Sequence, residues 1–431
     1  MGEHEELLRR HRAVMPSWMA LYYEEPIAIV DGEGRHVWDA EGNRYLDFFG
    51  GILTTMSGYK VPKVVDAIKA QADKMLHTST LYLIESQIEL AERIAELSGI
   101  PDATVFFTNS GTEANDAALM MATQYRKSNQ VLAMRNSYHG KSHSTVAVTG
   151  NRAWSATSLS PFHTVYVQSG YRYRSPFGHL PDAEFIEACK EDLRDLLRIA
   201  TAGDVACLIA EPIQGVGGFA TPPDGFYGGL EEVLDEHGIL FITDEVQTGW
   251  GRTGEHFWGY QAHGVTPDLL TFAKGLGNGL AMAGVVGRRE VVDCLAANSI
   301  STFGGNPLST AAALANLEYV LQEDLQTNAY KIGQQLKDGI HHLAEEIPNI
   351  GDVRGKGLMI GVELVVPGTN DPDAKTTVRV MEEAKAGGLL IGKGGLHGNV
   401  LRVAPPLSIT AEEAEDGLGL LSDAVRRATG G

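Results

Sequence analysis

Two charged residues follow two apolar runs that read as buried strands. Asp244 comes directly after ILFIT (239–243), and Lys274 directly after LLTFA (269–273). In an open α/β sheet both side chains would reach the crevice outside the strand ends, where such sheets bind ligands. A carboxylate and an amine aimed into one crevice suit a cofactor with a basic ring nitrogen and a reactive aldehyde. Pyridoxal 5′-phosphate (PLP) has both. Lys274 also has a plainer reading as a solvated strand-end lysine, but its setting, TFAKGLGNG, is apolar before and glycine-rich after. A lysine in a partly desolvated site loses its proton more easily and can form a Schiff base. Asp244 reads either as a turn or cap carboxylate or as the partner of a protonated ring nitrogen. The second role contributes roughly 4 kcal/mol at about 4 Å and an effective dielectric of about 20, before desolvation is subtracted.

Ser110-Gly111-Thr112-Glu113-Ala114-Asn115 lies between the strand-like TVFFT and a helical pattern. Ser110 and Glu113 have the spacing of a capping box, and the same helix start offers free N–H groups to a phosphate. Gly111 lets the backbone approach closely, and Thr112 adds a hydroxyl donor. Tyr138-His139-Gly140 ends the next strand–loop unit, where Tyr138 is either core or a ring that stacks on a flat cofactor, with His139 beside it. His139 and His143 are four apart, but no HExxH or further ligand cluster accompanies them, so no metal site is expected. Gly140-Lys141-Ser142 imitates the end of a P-loop, yet Arg135 stands where the upstream glycine is required. Glu211, in EPIQGVGG, and Arg402, in VLRVAPPL, each read as surface charges alone. Together they could pair, releasing the arginine to hold a substrate carboxylate bidentately.

Positioning these residues requires alternating strands and helices. Seven strand candidates run from TVFFT (104–108) through QVLAMR, HTVYV, VACLIA, ILFIT and LLTFA to MAGVVG (282–287), with helical patterns such as ANDAALMMATQYRK between them. This predicts an α/β fold with a large, mostly parallel seven-stranded sheet covered by helices on both faces. Residues 1–60 read as an arm and short strands, 61–310 as the large domain, and 311–431 as a smaller α+β domain reached through a helix at about 309–323. Further helices are expected near 325–346, 376–387 and 411–428, with strands in LMIGVELVV and NVLRVAP. The smaller domain would be built from both chain ends.

A net charge of −20 over 431 residues disfavours nucleic acid and anionic membranes as partners. Three dispersed cysteines, Cys189, Cys207 and Cys294, fit a reducing compartment. The start, MGEHEELLRRHRAVMPSW, has no apolar signal core, and no apolar run approaches a membrane span. A cytoplasmic location is the expectation.

The motifs SGTEAN (110–115), YHG (138–140), EPIQGVGG (211–218), DEVQTGWGRTG (244–254), FAKGLGNG (272–279), STFGGNPL (301–308), DVRGKGLMIGVEL (352–364) and LRVAPPL (401–407) occur in one order along the chain. In this the sequence resembles the class III aminotransferases, PLP enzymes of fold type I, over essentially its whole length. Within them it is most similar to the alanine–glyoxylate aminotransferase 2 type, through RYLDFFGGI, LHTSTLY and GDVRGKGLMIG. The resemblance implies that Lys274 carries PLP and that Asp244 pairs with its ring nitrogen. Val246 and Tyr138 would sandwich the ring, Gln247 would lie near its phenolic oxygen, and Ser110, Gly111 and Thr112 would hold its phosphate. It further implies that Thr302 reaches the phosphate of a neighbouring subunit, making a homodimer the minimal active assembly, with a tetramer as the larger alternative. Glu211 and Arg402 would form a switch pair that lets one site accept different substrates. Two departures stand out: GYKVP (58–62) where many relatives carry GHxHP, and HGKS, with Lys141, where relatives acting on 4-aminobutyrate or ornithine commonly carry arginine.

The expected activity is transfer of an amino group from alanine, β-alanine or another ω-amino acid to a 2-oxo acid such as glyoxylate or pyruvate. A transaminase acting on 4-aminobutyrate or a diamine, a non-transaminating PLP enzyme (aminomutase, epimerase or lyase) and a non-catalytic binding protein are the alternatives.

Overall fold

The computed structural model describes residues 3–19 and 21–430. Near the amino end, β1 (Ile29–Glu33), β2 (His36–Asp39) and β3 (Arg44–Asp47) form an antiparallel meander. The seven strand candidates then all appear: β4 (Ala103–Thr108), β5 (Gln130–Met134), β6 (His163–Val167), β7 (Cys207–Ala210), β8 (Leu240–Asp244), β9 (Leu269–Phe272) and β10 (Ala283–Arg288). They share one sheet in the order β4-β10-β9-β8-β7-β5-β6, and only β10 runs against its neighbours.

The near-continuous apolar runs are explained by burial on both faces of this sheet. On one face Val131, Ala133, Ile209 and Ile242 pack against Ala114, Ala117 and Ala118 of the helix Gly111–Arg126. On the other, Leu132, Leu208 and Phe241 pack against Phe185 and Leu193 of Asp182–Ala200 and against Phe226 and Leu230 of Phe226–Glu236. Alternate residues of each strand serve opposite layers, as the two-residue period of a strand requires.

A third sheet contains β11 (Ile350–Lys356), β12 (Met359–Leu364), β14 (Gly392–Gly394) and β15 (Val400–Val403) in the order β11-β12-β15-β14. The remaining strand, β13 (Leu389–Leu390), pairs in parallel with β3, so segments from near both chain ends share one sheet. Among the described residues no helix is long and apolar enough to cross a membrane.

The helix Pro307–Gln322 stitches these parts to the turn that carries Lys274. Its buried Asn316 donates through Nδ2 to the carbonyls of Gly275 (2.9 Å) and Leu276 (3.0 Å), and its Oδ1 accepts from Ser57 Oγ at 2.6 Å. Three polar groups would lose their partner together if this amide were removed. Asn316→Ala is therefore expected to destabilise the fold by about 1–3 kcal/mol, read as a lower denaturation midpoint with unchanged slope. An unshifted midpoint would show that these bonds contribute nothing net.

Candidate active site

In the parallel pair β8–β9, Asp244 lies opposite Thr271, which brings the end of β8 beside the turn that begins at Lys274. Both residues line one cavity of ≈ 150 Å³, together with Ser110, Gly111, Thr112, Asn115, Tyr138, His139, Gly140, Glu211, Val246 and Gln247. The motifs around it come from separate places in the sequence. They converge because each follows the carboxyl end of a strand in the same sheet.

Asp244 is 4% exposed, and its oxygens are held from three elements. Its Oδ2 accepts from Asn115 Nδ2 at 2.7 Å and is 2.8 Å from His139 Nδ1, while its Oδ1 accepts from the Val246 N–H at 3.1 Å. An ionised carboxylate only accepts, so His139 donates through Nδ1. Asn115 is held in turn by Thr271 Oγ1, which donates to its Oδ1 at 2.7 Å. Neither Asn115 nor Thr271 was assigned a role from the sequence. The available signal was an amide on the otherwise alanine-rich buried face of its helix.

Ser110 caps the helix Gly111–Arg126, its Oγ accepting from the Glu113 N–H at 3.3 Å. The expected reciprocal bond is displaced by one residue, because the Glu113 carboxylate accepts from Asn109 N–H (2.9 Å) and Nδ2 (3.0 Å) rather than from Ser110. The first N–H groups of the helix, at Gly111 and Thr112, have no protein acceptor among the described residues, as an anion seat requires. Beneath them, Gly140 has φ +139°, and a Cβ there would lie 2.4 Å from Thr112 Oγ1. A side chain at this position would therefore both strain the backbone and push the threonine away.

Lys274 is half-buried and has φ +45°, the left-handed conformation that non-glycine residues seldom adopt. Burial pulls its ammonium pKa down to about 8; Arg402 pushes it the same way, while Asp244 and Glu211 oppose. Glu211 is raised to about 7, by burial first, with His139 opposing and Asp244 adding to the rise. Its carboxylate accepts from the N–H groups of Tyr138 (2.9 Å) and Gly215 (2.8 Å).

The expected direct pair between Glu211 and Arg402 is absent. They meet through one residue: Gly215 donates its N–H to Glu211, and its carbonyl, in the next peptide group, accepts from Arg402 Nη1 at 3.2 Å. The Arg402 guanidinium lies over the rings of Phe49 (4.8 Å) and Phe219 (5.5 Å), and donates to Lys393 O at 3.0 Å and Tyr22 Oη at 3.3 Å. Stacking lets a buried arginine meet carbonyls edge-on without a carboxylate partner.

Tyr138 borders the cavity and meets Trp154 edge-on, with centroids 5.3 Å apart. Thr302 lies apart from this cavity. It is exposed in a neighbouring cleft with Asn109, Glu113, Ser301 and Phe303. Lys141 is exposed, and its backbone N–H donates to Thr112 Oγ1 at 3.1 Å. The departure at GYKVP has a structural account. Tyr59 donates to the buried Asp47 at 2.6 Å, and Asp47 also accepts from the N–H groups of Phe49 and Gly50.

A cofactor with a ring N–H, an anionic group and an aldehyde fits the residues present. Asp244 has a lone-pair site to spare, the helix start has free N–H groups, and Lys274 has an easily freed amine. Two buried polar atoms beside the cavity, His139 Nε2 and Gln247 Oε1, have no hydrogen-bond partner, as expected of a pocket shaped for a polar ligand.

The sequence profile of the family described as "Aminotransferase class-III" matches residues 20–425. Among relatives, the mitochondrial alanine–glyoxylate aminotransferase 2 homolog 2 of Arabidopsis thaliana is 39% identical over 95% of this chain and 84% of its own length. The 4-aminobutyrate aminotransferase of Escherichia coli is 37% identical over 98% of each. An amine transaminase from an uncultivated Pseudomonas species, solved in a PLP-bound (internal aldimine) form, superposes with a TM-score of 0.90 at 32% identity, covering 96% of this chain and 98% of that one. With a profile that spans nearly the whole chain and relatives well above 30% identity, this protein belongs to the class III aminotransferase family.

Proposed function

We propose that the protein is a PLP-dependent aminotransferase that moves an amino group from alanine, β-alanine or another ω-amino acid to a 2-oxo acid such as glyoxylate or pyruvate. One observation carries this reading: a buried carboxylate and an amine of lowered pKa close one cavity at the ends of adjacent strands. When bound, the cofactor supplies an aldehyde that takes up the amino group and a protonated ring that draws electrons from the donor carbon. Asp244 accepts from the ring nitrogen and keeps its proton in place. Ser110 and Thr112, with the N–H groups at the helix start, hold the phosphate. Tyr138 and Val246, with Gln247 and His139, line the same cavity and would hold the ring. Lys274 would hold the cofactor's aldehyde, and its amine of lowered pKa would serve as the general base for the proton of the donor carbon. Arg402 holds the acceptor carboxylate, and Glu211, charged or neutral near pH 7, moderates that positive field.

Relatives at 39% and 37% identity carry different donor names, so overall likeness does not choose between them. The 4-aminobutyrate reading is second, because the place where relatives commonly carry arginine holds Lys141, a point charge without the planar fork that grips a distal carboxylate. A homodimer is the proposed assembly. Leu81, Tyr82 and Leu83 are 73%, 69% and 93% exposed on the single chain, and Thr302 stands outside its own cavity. Free cysteines Cys189, Cys207 and Cys294 support a reducing compartment, with the cytoplasm as the proposed one.

Mixing the purified PLP form with a panel of amino donors tests the activity. Alanine or an ω-amino acid should convert it to the pyridoxamine form. Lys274→Ala should abolish turnover, and Asp244→Asn should bind cofactor but convert it at least about a hundredfold more slowly. Conversion by none of the donors would reject transamination. For pH, a lowered amine pKa means that more neutral nucleophile is present at a given pH. PLP capture by the apoprotein should therefore accelerate up to about pH 8 and level above it. A rate still climbing at pH 10 would mean an unperturbed lysine. Light scattering should give a mass twice 46.4 kDa or a larger even multiple; a monomer with full activity would refute the shared site.

A further inference from the structure

The Arg402 side chain is surrounded by a small apparatus drawn from both chain ends. In β14, Gly392-Lys393-Gly394, both glycines are required by close approach. A Cβ on Gly392 would lie 2.2 Å from the Phe49 ring, and one on Gly394 would lie 3.0 Å from Arg402 Cδ. This lets Phe49 slide under the guanidinium and leaves the Lys393 carbonyl free to accept from Arg402 Nε at 3.0 Å. Tyr22 closes the arrangement from the amino-terminal arm. Its hydroxyl donates to Lys393 O at 2.8 Å and accepts from Lys393 N–H at 2.5 Å and from Arg402 Nη2 at 3.3 Å. The Tyr22 ring stacks on Phe49, with centroids 5.2 Å apart and planes 26° apart.

A phenolic oxygen has one proton to donate and two lone pairs, and here each is used. A guanidinium has five N–H groups, of which Arg402 spends three: Nε on Lys393 O, Nη1 on Gly215 O and Nη2 on Tyr22 Oη. One N–H on each terminal nitrogen is left without a protein acceptor among the described residues. Two such groups take a carboxylate bidentately where they share one edge of the guanidinium.

We propose that Tyr22 is a positioning residue for acceptor binding: its hydroxyl fixes the rotation of the Arg402 guanidinium so that the two unspent N–H groups face a 2-oxo acid carboxylate. This inference rests on the reading of Arg402 as the carboxylate clamp. Tyr22 does not touch the reacting atoms and acts through Arg402 alone. The amino-terminal arm thereby takes part in substrate choice, although nothing in its sequence marks it for chemistry.

The test is a double-mutant cycle in the holoenzyme with pyruvate or glyoxylate as acceptor, comparing wild type, Tyr22→Phe, Arg402→Ala and the double variant. Tyr22→Phe keeps the ring on Phe49 and removes only the hydroxyl. It should raise KM for the 2-oxo acid about tenfold, the scale of one hydrogen bond to a charged group, with kcat within about twofold and the melting temperature unchanged. Arg402→Ala should raise KM further, and the double variant should match Arg402→Ala, because Tyr22 has nothing left to orient. Independent, multiplying effects, or an unchanged KM in Tyr22→Phe while Arg402→Ala loses acceptor binding, would overturn the role of Tyr22 alone. An unchanged KM in Arg402→Ala would overturn the clamp, and the Tyr22 inference with it.

Discussion

The site depends on the hydrogen bonds that hold the buried Asp244 carboxylate at the end of β8. Removing a carboxylate from water costs several kcal/mol, and the cost is offset only when its lone pairs find donors. Each donor here comes from a different element: Asn115 from the helix after β4, His139 from the loop after β5, and the Val246 N–H from its own chain. Satisfying one charge therefore sets the relative positions of three segments. Asn115 lies on the same helix whose start presents free N–H groups, so the anion seat and the ring partner share a rigid body. Thr271 holds Asn115 from β9, the strand that delivers Lys274.

Burial then sorts the remaining charges. It moves Glu211 up to about 7 and Lys274 down to about 8, so both groups are poised near neutrality at physiological pH. Paired groups pushed in opposite directions by one environment are typical of sites that must exchange protons. Arg402 lies over the rings of Phe49 and Phe219 and donates to carbonyls, with no carboxylate held against it. Gly215 stands between it and Glu211, giving its N–H to the carboxylate and its carbonyl to the guanidinium. An arginine tied to a peptide carbonyl is more easily recruited by a substrate carboxylate than one already neutralised by Glu211.

The large sheet was legible in the sequence because its strands are buried on both faces and so read as uninterrupted apolar runs. Lys274 and Asp244 were legible for the same reason, as single charges at the ends of such runs. The smaller part was less so. LMIGVELVV and NVLRVAP stood out as strands, whereas GKG in β14 did not, because its side chains were given up to make room for Phe49 and Arg402. The pairing of Glu211 with Arg402 was overdrawn because sequence shows two charges and not the peptide between them. Asn115 lay in a quoted motif but read as a helix residue. Tyr22 and Phe49 carried no signal, since an aromatic in an arm or beside a strand is most often packing.

The contrast follows from how the two halves of the site are built. The cofactor half is assembled from strand ends and one helix start, where backbone geometry imposes particular residues at particular offsets, and motifs result. The acceptor half is assembled from the arm, β14 and β15, where what matters is that a guanidinium be stacked and turned correctly. Many residue combinations can stack and turn an arginine, so this half leaves little pattern in the sequence. Tyr59 supports this second half, since the Asp47 it donates to also accepts from the N–H of Phe49, the ring under Arg402, whereas the Lys141 N–H is held by Thr112 beside the helix start. With Arg402 as the proposed clamp, substrate choice in this chain would follow from how its two ends meet around that guanidinium.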